Sequence, residues 1–508
     1  MVTGKTVVIL GGGLAGLAAA IPLIEEGFQV TVVERKPFLG GRASSYPIPS
    51  DRGQPPTGSE KMTSFPDTPL TRHLPTTSAR QLAPHQTARE FIDNCQHVLL
   101  RCCTNLLDFY RRLGVEQGIA FYDRYWFLDE QGQLATLSSS PLPAPLHLLP
   151  SFLRFGPLAW KDKLAIARAF LSMLRQQPQV PHLDRMTMLQ WLEQHRQTAR
   201  AIQAFWRPVL VSALNEELEV ASARYGLKVF LDGMLNHREA FVMGVPRVPL
   251  SQLYTEPCLR FLAQRGGTVR LRSSATRLEV ASSRVCGLLL HDGTRLTGDY
   301  YLSSLPPDAL LKLLPEEVVD GSEGFASLRR FETSPITAIY LWFDRQITQL
   351  KQVALLGRKI QWIFNKASSA DSALGGEDSY VGLVVSASRK LLPLGPGAIV
   401  EMALADLREV LPTVREAVVL STVVIKEPFA TFSCRAGCDE IRPKQKSALE
   451  NFFISGDWTD TGWPPTMEGA VRSGYRCAEL ILEREGKASS ILQRDLPTAR
   501  LSRWIACF

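Results

Sequence analysis

Hydrophobic positions along the chain fall into runs whose period changes several times. Thr6-Val7-Val8-Ile9-Leu10 is a continuous β-branched, apolar run, which predicts a strand buried on both faces. A helical pattern follows over Leu17 to Glu26, and a second apolar run, Gln29 to Val33, ends in Glu34. Strand, helix and strand in that order predict a βαβ unit. The pattern then lapses. Residues 47–88 hold Pro55, Pro56, Pro66, Pro69, Pro75 and Pro84 among many Ser and Thr, with few large apolar groups. Such a stretch cannot bury enough surface to offset its ordering entropy, and it reads as a mobile surface insertion. Helical spacing returns over Ser151 to Gln177, Thr187 to Asn236 and Leu250 to Gln264. Strands are expected at Thr268–Leu271, Ala275–Val280 and Val285–His291, and again at Ile336–Phe343, Gln361–Asn365 and Tyr380–Ser386. A helix at Glu401–Leu411, a strand at Phe452–Ile454 and a helix reaching about Glu485 complete the pattern.

Between the first strand and its helix stands Gly11-Gly12-Gly13-Leu14-Ala15-Gly16. Gly11 allows the tight turn, Gly13 lets the backbone approach a pyrophosphate, and Gly16 lets the helix pack on the sheet. Leu14 and Ala15 open a helix whose free N–H groups and dipole favour an anion. Glu34 stands about twenty residues on, where a dinucleotide fold needs a carboxylate for ribose hydroxyls. A membrane anchor is the competing reading, because Val7 to Ile24 is uncharged and mostly apolar. Only Lys5 precedes it, however, glycines crowd its middle, and an anchor gives the second strand no purpose. Pro22 should kink the helix at a cost of about 3 kcal/mol unless packing holds it.

Beyond Glu34, the run Arg35-Lys36-Pro37-Phe38-Leu39-Gly40-Gly41-Arg42-Ala43 resembles the second FAD motif of the flavin amine oxidase and carotenoid desaturase superfamily. The resemblance implies FAD, with Gly41 and Arg42 at the pyrophosphate, Glu34 at the ribose hydroxyls, and Arg35 and Ala43 also among the cofactor-binding residues. It further implies that Ala275 packs its backbone against the adenine end and that Gly456 and Asp457 meet the ribityl chain. The helix N-terminus at Met467 and Gly469 is expected to point at the flavin pyrimidine. The implied fold class is α/β, a Rossmann-like FAD-binding domain of the glutathione-reductase and amine oxidase type with an interleaved α+β substrate domain. The expected division is 1–46, 245–310 and 441–486 for the FAD domain, 89–244 for a mainly helical cap, 311–440 for the substrate sheet, and 487–508 for a tail.

A narrower resemblance lies in Phe91-Ile92-Asp93-Asn94-Cys95-Gln96-His97-Val98-Leu99-Leu100, Leu142-Pro143-Ala144-Pro145-Leu146, Phe205-Trp206-Arg207-Pro208, Val245-Pro246-Arg247-Val248 and Gly456-Asp457-Trp458-Thr459-Asp460. These stretches look like the hydroxysqualene dehydroxylases, the squalene-associated branch of the superfamily. Cys95 departs from that pattern, which has a glycine there. The resemblance implies hydride transfer from reduced FAD to the carbon of hydroxysqualene that loses its hydroxyl, giving squalene and water. Asp93 and His97 are then the candidate proton donors, with Asp460 and Arg247 behind them. Oxidative desaturation of a carotenoid precursor and amine oxidation remain the alternatives, the latter with Trp458 and Trp463 as a possible aromatic cage.

Composition narrows the partners. Nine cysteines without a Cys-x-x-Cys fit a reducing compartment and argue against structural zinc, and no other spacing suggests a metal. A net charge of +7 is spread without an arginine-rich block, so nucleic acid is not expected. Between Ser151 and Gln177, aromatic and leucine residues alternate with Arg154, Lys161, Lys163, Arg168 and Arg175, which suits either an in-plane membrane helix or a plain cap helix. An isoprenoid substrate favours a cytoplasmic enzyme held peripherally on the inner membrane face. With one dinucleotide fingerprint, an unidentified donor must reduce the flavin.

Overall fold

A computed structural model of the chain describes residues 4–47, 91–176, 181–366, 379–487 and 489–507. The stretch read as a mobile insertion, residues 47–88, lies outside these apart from Pro47.

Five parallel strands form the first sheet, in the order Thr268–Arg270, Gln29–Val33, Thr6–Leu10, Tyr300–Ser303, Phe452–Ile454. Its strands come from three segments far apart in sequence. The helix Leu14–Glu25 packs on this sheet and crosses the closing helix Met467–Arg484 at close range. The crossing requires glycine. A Cβ on Gly474 would stand 2.2 Å from the Ala15 carbonyl oxygen and 2.9 Å from Ala18 Cβ. Pro22 sits inside the first helix, which is buried along nearly its whole length and continues to Glu25.

A second, seven-stranded sheet carries the other half of the molecule, in the order Val419–Phe432, Thr333–Phe343, Ser379–Ser386, Trp362–Asn365, Gln352–Leu355, Arg124–Leu128, Leu134–Ser138. Strand side chains alternate between faces, and this alternation builds two different surfaces. Ile339, Leu341, Ile363 and Leu383 pack with Ile399, Ala403, Leu404 and Leu407 of the helix Pro396–Val410. Ala338, Tyr340, Phe364 and Val384 face the other way, onto Ile92 and Cys95.

Three expectations are corrected. The segment 89–244 is not mainly helical at its start: Phe91–Asp93, Leu99–Leu100, Ile119–Tyr122, Arg124–Leu128 and Leu134–Ser138 are all strands. Two of them complete the substrate sheet, which therefore is not confined to residues 311–440. The single helix over Ser151–Gln177 is two, Leu149–Leu153 and Trp160–Arg175, because Gly156 and Pro157 stop the first and an Asp162 cap on Ala159 N–H starts the second (3.0 Å). The aromatics of 187–236 are core: Trp206 and Phe230 are buried with ring centroids 4.7 Å apart, and Phe205 stacks beside them. The C-terminal residues form a helix, Arg500–Ala506, docked through Ser502 Oγ on the Leu235 carbonyl (2.7 Å).

Candidate active site

The glycine turn has the geometry that a pyrophosphate needs. Gly11 takes φ +98°, and Ser304 Oγ donates to its carbonyl (2.7 Å). A Cβ on Gly16 would lie 2.3 Å from the Gly11 oxygen, whereas one on Gly13 would meet nothing nearer than Gly41 Cα at 3.8 Å. The Gly13 face is thus open where a phosphate must approach and the Gly16 face is closed where the helix must pack. Leu14 and Ala15 form the buried first turn. Glu34 is buried, and its carboxylate accepts from Gly12 N–H and Lys36 N–H, both at 2.8 Å. Arg35 is exposed beside it.

The second glycine motif folds back on the first. Gly40 N–H donates to Gly12 O (2.8 Å), and Gly40 and Gly41 take φ +116° and +64°, the left-handed region that disfavours any side chain. Arg42 pairs with Asp457, whose side chain is buried. Asn94 Nδ2 holds the Arg42 carbonyl (2.8 Å), and Tyr254 donates to Ala43 O. Gly456, at φ +146°, receives Ser473 Oγ on its N–H (2.8 Å). Ala275 begins a strand just after Arg272 and Ser273, whose N–H groups donate to Lys36 O (3.1 Å) and Glu34 O (2.9 Å). That juxtaposition sets Ala275 a short way along the chain from the backbone of Glu34 and Lys36. Together these residues make a cradle of free backbone, a buried carboxylate for ribose and a cation for phosphate, which fits a dinucleotide.

At the helix N-terminus the geometry is narrower than expected. Met467 is the first helical residue, but Thr466 already caps Gly469 N–H (3.1 Å to Oγ1) and Ala470 N–H (3.0 Å to O). The amides of Met467 and Glu468 are the pair left to meet an anion. The Glu468 carboxylate turns away, accepting from Leu106 N–H (2.8 Å) and Arg472 (2.7 Å).

Beyond the cradle lies the segment Asp93 to His97. Asp93 Oδ1 accepts from Ser45 Oγ (2.8 Å) and Leu250 N–H (3.0 Å), while Oδ2 takes no hydrogen bond among the described residues. His97 Nδ1 lies 2.9 Å from the Cys95 carbonyl, so this nitrogen carries the proton and Nε2 presents a lone pair. Burial lowers the His97 pKa, against the opposing pull of Asp93. His97 therefore presents Nε2 as an acceptor, on which burial disfavours a proton. Burial likewise raises the Cys95 thiol to about 12 and lowers Lys366, which the charges of Asp93 and Cys95 pull the other way.

Two groups enter that pattern reading had missed. Glu427, on the edge strand of the substrate sheet, accepts from Tyr46 OH (3.1 Å) and Asn94 Nδ2 (3.4 Å). Burial, and then Glu427, push the Tyr46 phenol up to about 12. Lys366 follows the strand Trp362–Asn365. The floor beside them is aromatic: Tyr340 donates to Asp93 O (2.7 Å), Tyr380 stacks on Trp342 (4.5 Å), and Trp362 stacks on Phe364 (5.9 Å). Asp460 and Arg247 are exposed. No cage forms from the two tryptophans, because Trp458 is tied by Nε1 to Leu305 O (3.2 Å) and Trp463 lies between Lys228 and Arg472, each 4.7 Å from its ring.

The possible metal cluster of Asp184, Cys438 and Asp439 is already bound up in protein contacts. Arg224 pairs with Asp439, and Ser222 Oγ donates to Asp184 (2.9 Å).

Comparison with known proteins follows the same lines. The pattern of the flavin-containing amine oxidoreductases matches residues 81–482, and that of an NAD(P)-binding Rossmann-like domain matches residues 9–74. A "probable zeta-carotene desaturase" of Synechococcus elongatus is 25% identical over 95% of this chain and 100% of its own length. The 15-cis-phytoene desaturase of an Oncidium hybrid cultivar is 25% identical over 96% of this chain and 80% of its own. Among solved structures, an oxidoreductase from Methanosarcina mazei superposes with a TM-score of 0.66 at 16% identity, covering 94% of this chain and 100% of that one. Cyclohexylamine oxidase from Brevibacterium oxydans does so with a TM-score of 0.62 at 15% identity, covering 95% and 100%.

Proposed function

Because the chain belongs to the flavin-containing amine oxidoreductase family and its cofactor is FAD, we propose that it reductively dehydroxylates hydroxysqualene to squalene. FAD, when bound, exchanges a hydride with the substrate carbon. In this direction the carbon gains hydride, the C–O bond breaks, and the hydroxyl leaves as water after taking one proton. The chain has to deliver that proton and keep bulk water out. The observation that carries the reading is a set of carboxyl groups at the rim of an aromatic floor. Asp93 keeps one carboxylate oxygen without a hydrogen bond among the described residues, Glu427 is shared by Tyr46 and Asn94, and Tyr340, Tyr380, Trp342 and Phe364 offer apolar surface beside them. Asp93 is our candidate donor and Glu427 the alternative.

A second reading has its own support. Desaturation needs a group that takes up a proton, which the lone pair on His97 Nε2 suits, and carotenoid desaturases are similar to this chain over nearly its whole length. Either substrate is a long isoprenoid, and burial of each methylene is worth about 0.8 kcal/mol, so the molecule resides in lipid. The enzyme is accordingly proposed to work peripherally at the inner membrane face. No described helix is long and apolar enough to cross a membrane. Reducing equivalents would come from a separate flavoprotein, ferredoxin or free reduced flavin.

An anaerobic single turnover decides between the readings. Reoxidation of the reduced enzyme in step with squalene formation supports the dehydroxylase, and Asp93→Asn should then slow it by about 10²–10⁴-fold. Bleaching of the oxidised enzyme by a carotenoid precursor, with reduced enzyme inert to hydroxysqualene, would put desaturation in its place and predict that His97→Ala is the slow variant.

A further inference from the structure

Among the described residues, Leu149, Leu153, Trp160, Leu164, Leu171 and Trp504 are exposed large apolar side chains on the cap and on the helix packed against it. Trp160, Leu164 and Leu171 lie along one stripe of the helix Trp160–Arg175, at spacings that share a face. Trp160 is 70% exposed, whereas Ile166, Ala169 and Met173 on the opposite side are fully buried in the core. The short helix before it adds Leu149 and Leu153, and Lys163 Nζ fastens the two helices through the Leu153 carbonyl (2.7 Å). The C-terminal helix Arg500–Ala506 packs against the same helix and exposes Trp504 at 61%. Three elements separated in sequence, two of them held against the central helix, thus each expose apolar side chains.

The charges that these three elements expose have one sign. Arg154, Lys161, Arg168, Arg175, Arg500 and Arg503 are exposed. Asp162 is the sole acid between residues 142 and 176; it is buried, and Thr198 Oγ1 donates to it (2.6 Å). Residues 496–508 contain no acid at all. A groove of about 430 Å³ lined by Ala165, Arg168, Gln194, His195 and Arg196 opens beside the stripe. Apolar groups and tryptophans flanked by cations are what an anionic bilayer interface accommodates, with rings at headgroup level and cations on lipid phosphate. A second copy of this chain would bring like charges together, which disfavours self-association through this face.

The face also connects inward. Leu146 and Leu149 flank His147, whose ring lies 6.3 Å from Phe241; Phe241 meets Tyr125 at 4.5 Å, and Tyr125 meets Trp362 of the aromatic floor at 6.5 Å. A row of buried rings therefore runs through the core from the cap to the aromatic floor.

We infer that the helices Leu149–Leu153, Trp160–Arg175 and Arg500–Ala506 form the surface by which the protein docks on an anionic lipid bilayer, with Trp160, Leu164 and Trp504 entering the interface. The purpose of the contact rests on the isoprenoid reading, but its evidence does not, so binding is measured without substrate. The holoenzyme is sedimented with vesicles of phosphatidylglycerol and phosphatidylcholine, and with phosphatidylcholine alone, at low and high salt. Wild type should bind the anionic vesicles and be weakened by salt. Trp160→Glu with Leu164→Glu, and separately Lys161→Glu with Arg168→Glu, should each lower the partition at least ~tenfold. Both variants should retain FAD, unfold at the wild-type temperature and turn over detergent-dispersed substrate normally. Equal sedimentation of wild type and variants, or of wild type with and without vesicles, overturns the assignment. A wild-type dimer by light scattering that the variants dissolve would also overturn it, in favour of a self-association face.

Discussion

The Arg42–Asp457 pair joins the second glycine motif to the Gly-Asp turn across 415 residues of sequence, with the aspartate side chain buried and the arginine about one-third exposed. A phosphate arriving in the cradle would compete for the same guanidinium, so the pair holds Arg42 ready rather than locking it away. Charge-assisted hydrogen bonds of this kind are worth about 1.5–3 kcal/mol. Arg42→Ala should therefore weaken FAD retention by about 10–100-fold, read as flavin absorbance left on the protein after gel filtration at a series of FAD concentrations. Undiminished retention would remove Arg42 from the phosphate site. His147 yields a different prediction. Among the described residues its two ring nitrogens have no hydrogen-bond partner, and burial holds its pKa down to about 4 against an ordinary 6.5. The unfolded chain takes up this proton below about pH 6.5 and the folded protein does not until about pH 4. The contribution to stability is thus complete above pH 6.5 and declines as the pH falls toward 4, by up to about 1.4 kcal/mol per pH unit. His147→Phe should flatten that part of the stability curve, measured by urea midpoints across it, and an unchanged slope would mean that other groups set it. The same scale shows why some residues could be read from sequence and others could not. Gly11, Gly13 and Gly16 of the first motif have backbone tasks that set their spacing, so the spacing alone identifies them. Glu427 carries no local signal, because its partners Tyr46 and Asn94 stand 381 and 333 positions away.

Elements were legible where a run of one period had a physical stop. The strand Gln29–Val33 and the strand Tyr380–Ser386, observed from Ser379, end at polar or turn residues. The hairpin Arg124–Leu128 and Leu134–Ser138 was not, since only its pairing through Gln352–Leu355 makes it part of a sheet. The break in the cap helix lay in plain view at Gly156-Pro157, but amphipathic spacing on both sides concealed it. Helix pairing is the level at which the cradle is most exposed to mutation. With Ala15 O only 2.2 Å from a Cβ at position 474, the helices Leu14–Glu25 and Met467–Arg484 could not keep their distance around a larger residue. Gly474→Val should destabilise the fold by about 1–3 kcal/mol and release FAD more readily, because the first helix carries the pyrophosphate turn at its N-terminus. Calorimetry and flavin release would be followed together. A stable variant that still lost FAD would mean that the helix had shifted without loss of packing.

At the scale of the whole molecule, the flavin sheet takes neighbouring strands from residues 6–10, 29–33, 268–270, 300–303 and 452–454, while the chain between them builds the cap and the substrate sheet. Such interleaving leaves neither half able to unfold without withdrawing strands or supports from the other. Tyr340 of the substrate sheet holds the Asp93 carbonyl, and Asn94 beside it holds Arg42 of the cradle, so the two halves also share their polar contacts at the site. FAD, if held by residues of these three segments, would by mass action add about 2.7 kcal/mol to stability when free cofactor stands at a hundred times its dissociation constant. Heating the holoenzyme should give one transition in which far-ultraviolet circular dichroism, tryptophan emission and flavin release coincide, and added FAD should move all three upward together. The apoprotein should melt lower, again in a single step. If flavin left well before the circular dichroism changed, the cradle would be a separately melting unit and the substrate sheet would stand on its own; the interleaved connections make that the outcome the fold is least able to produce.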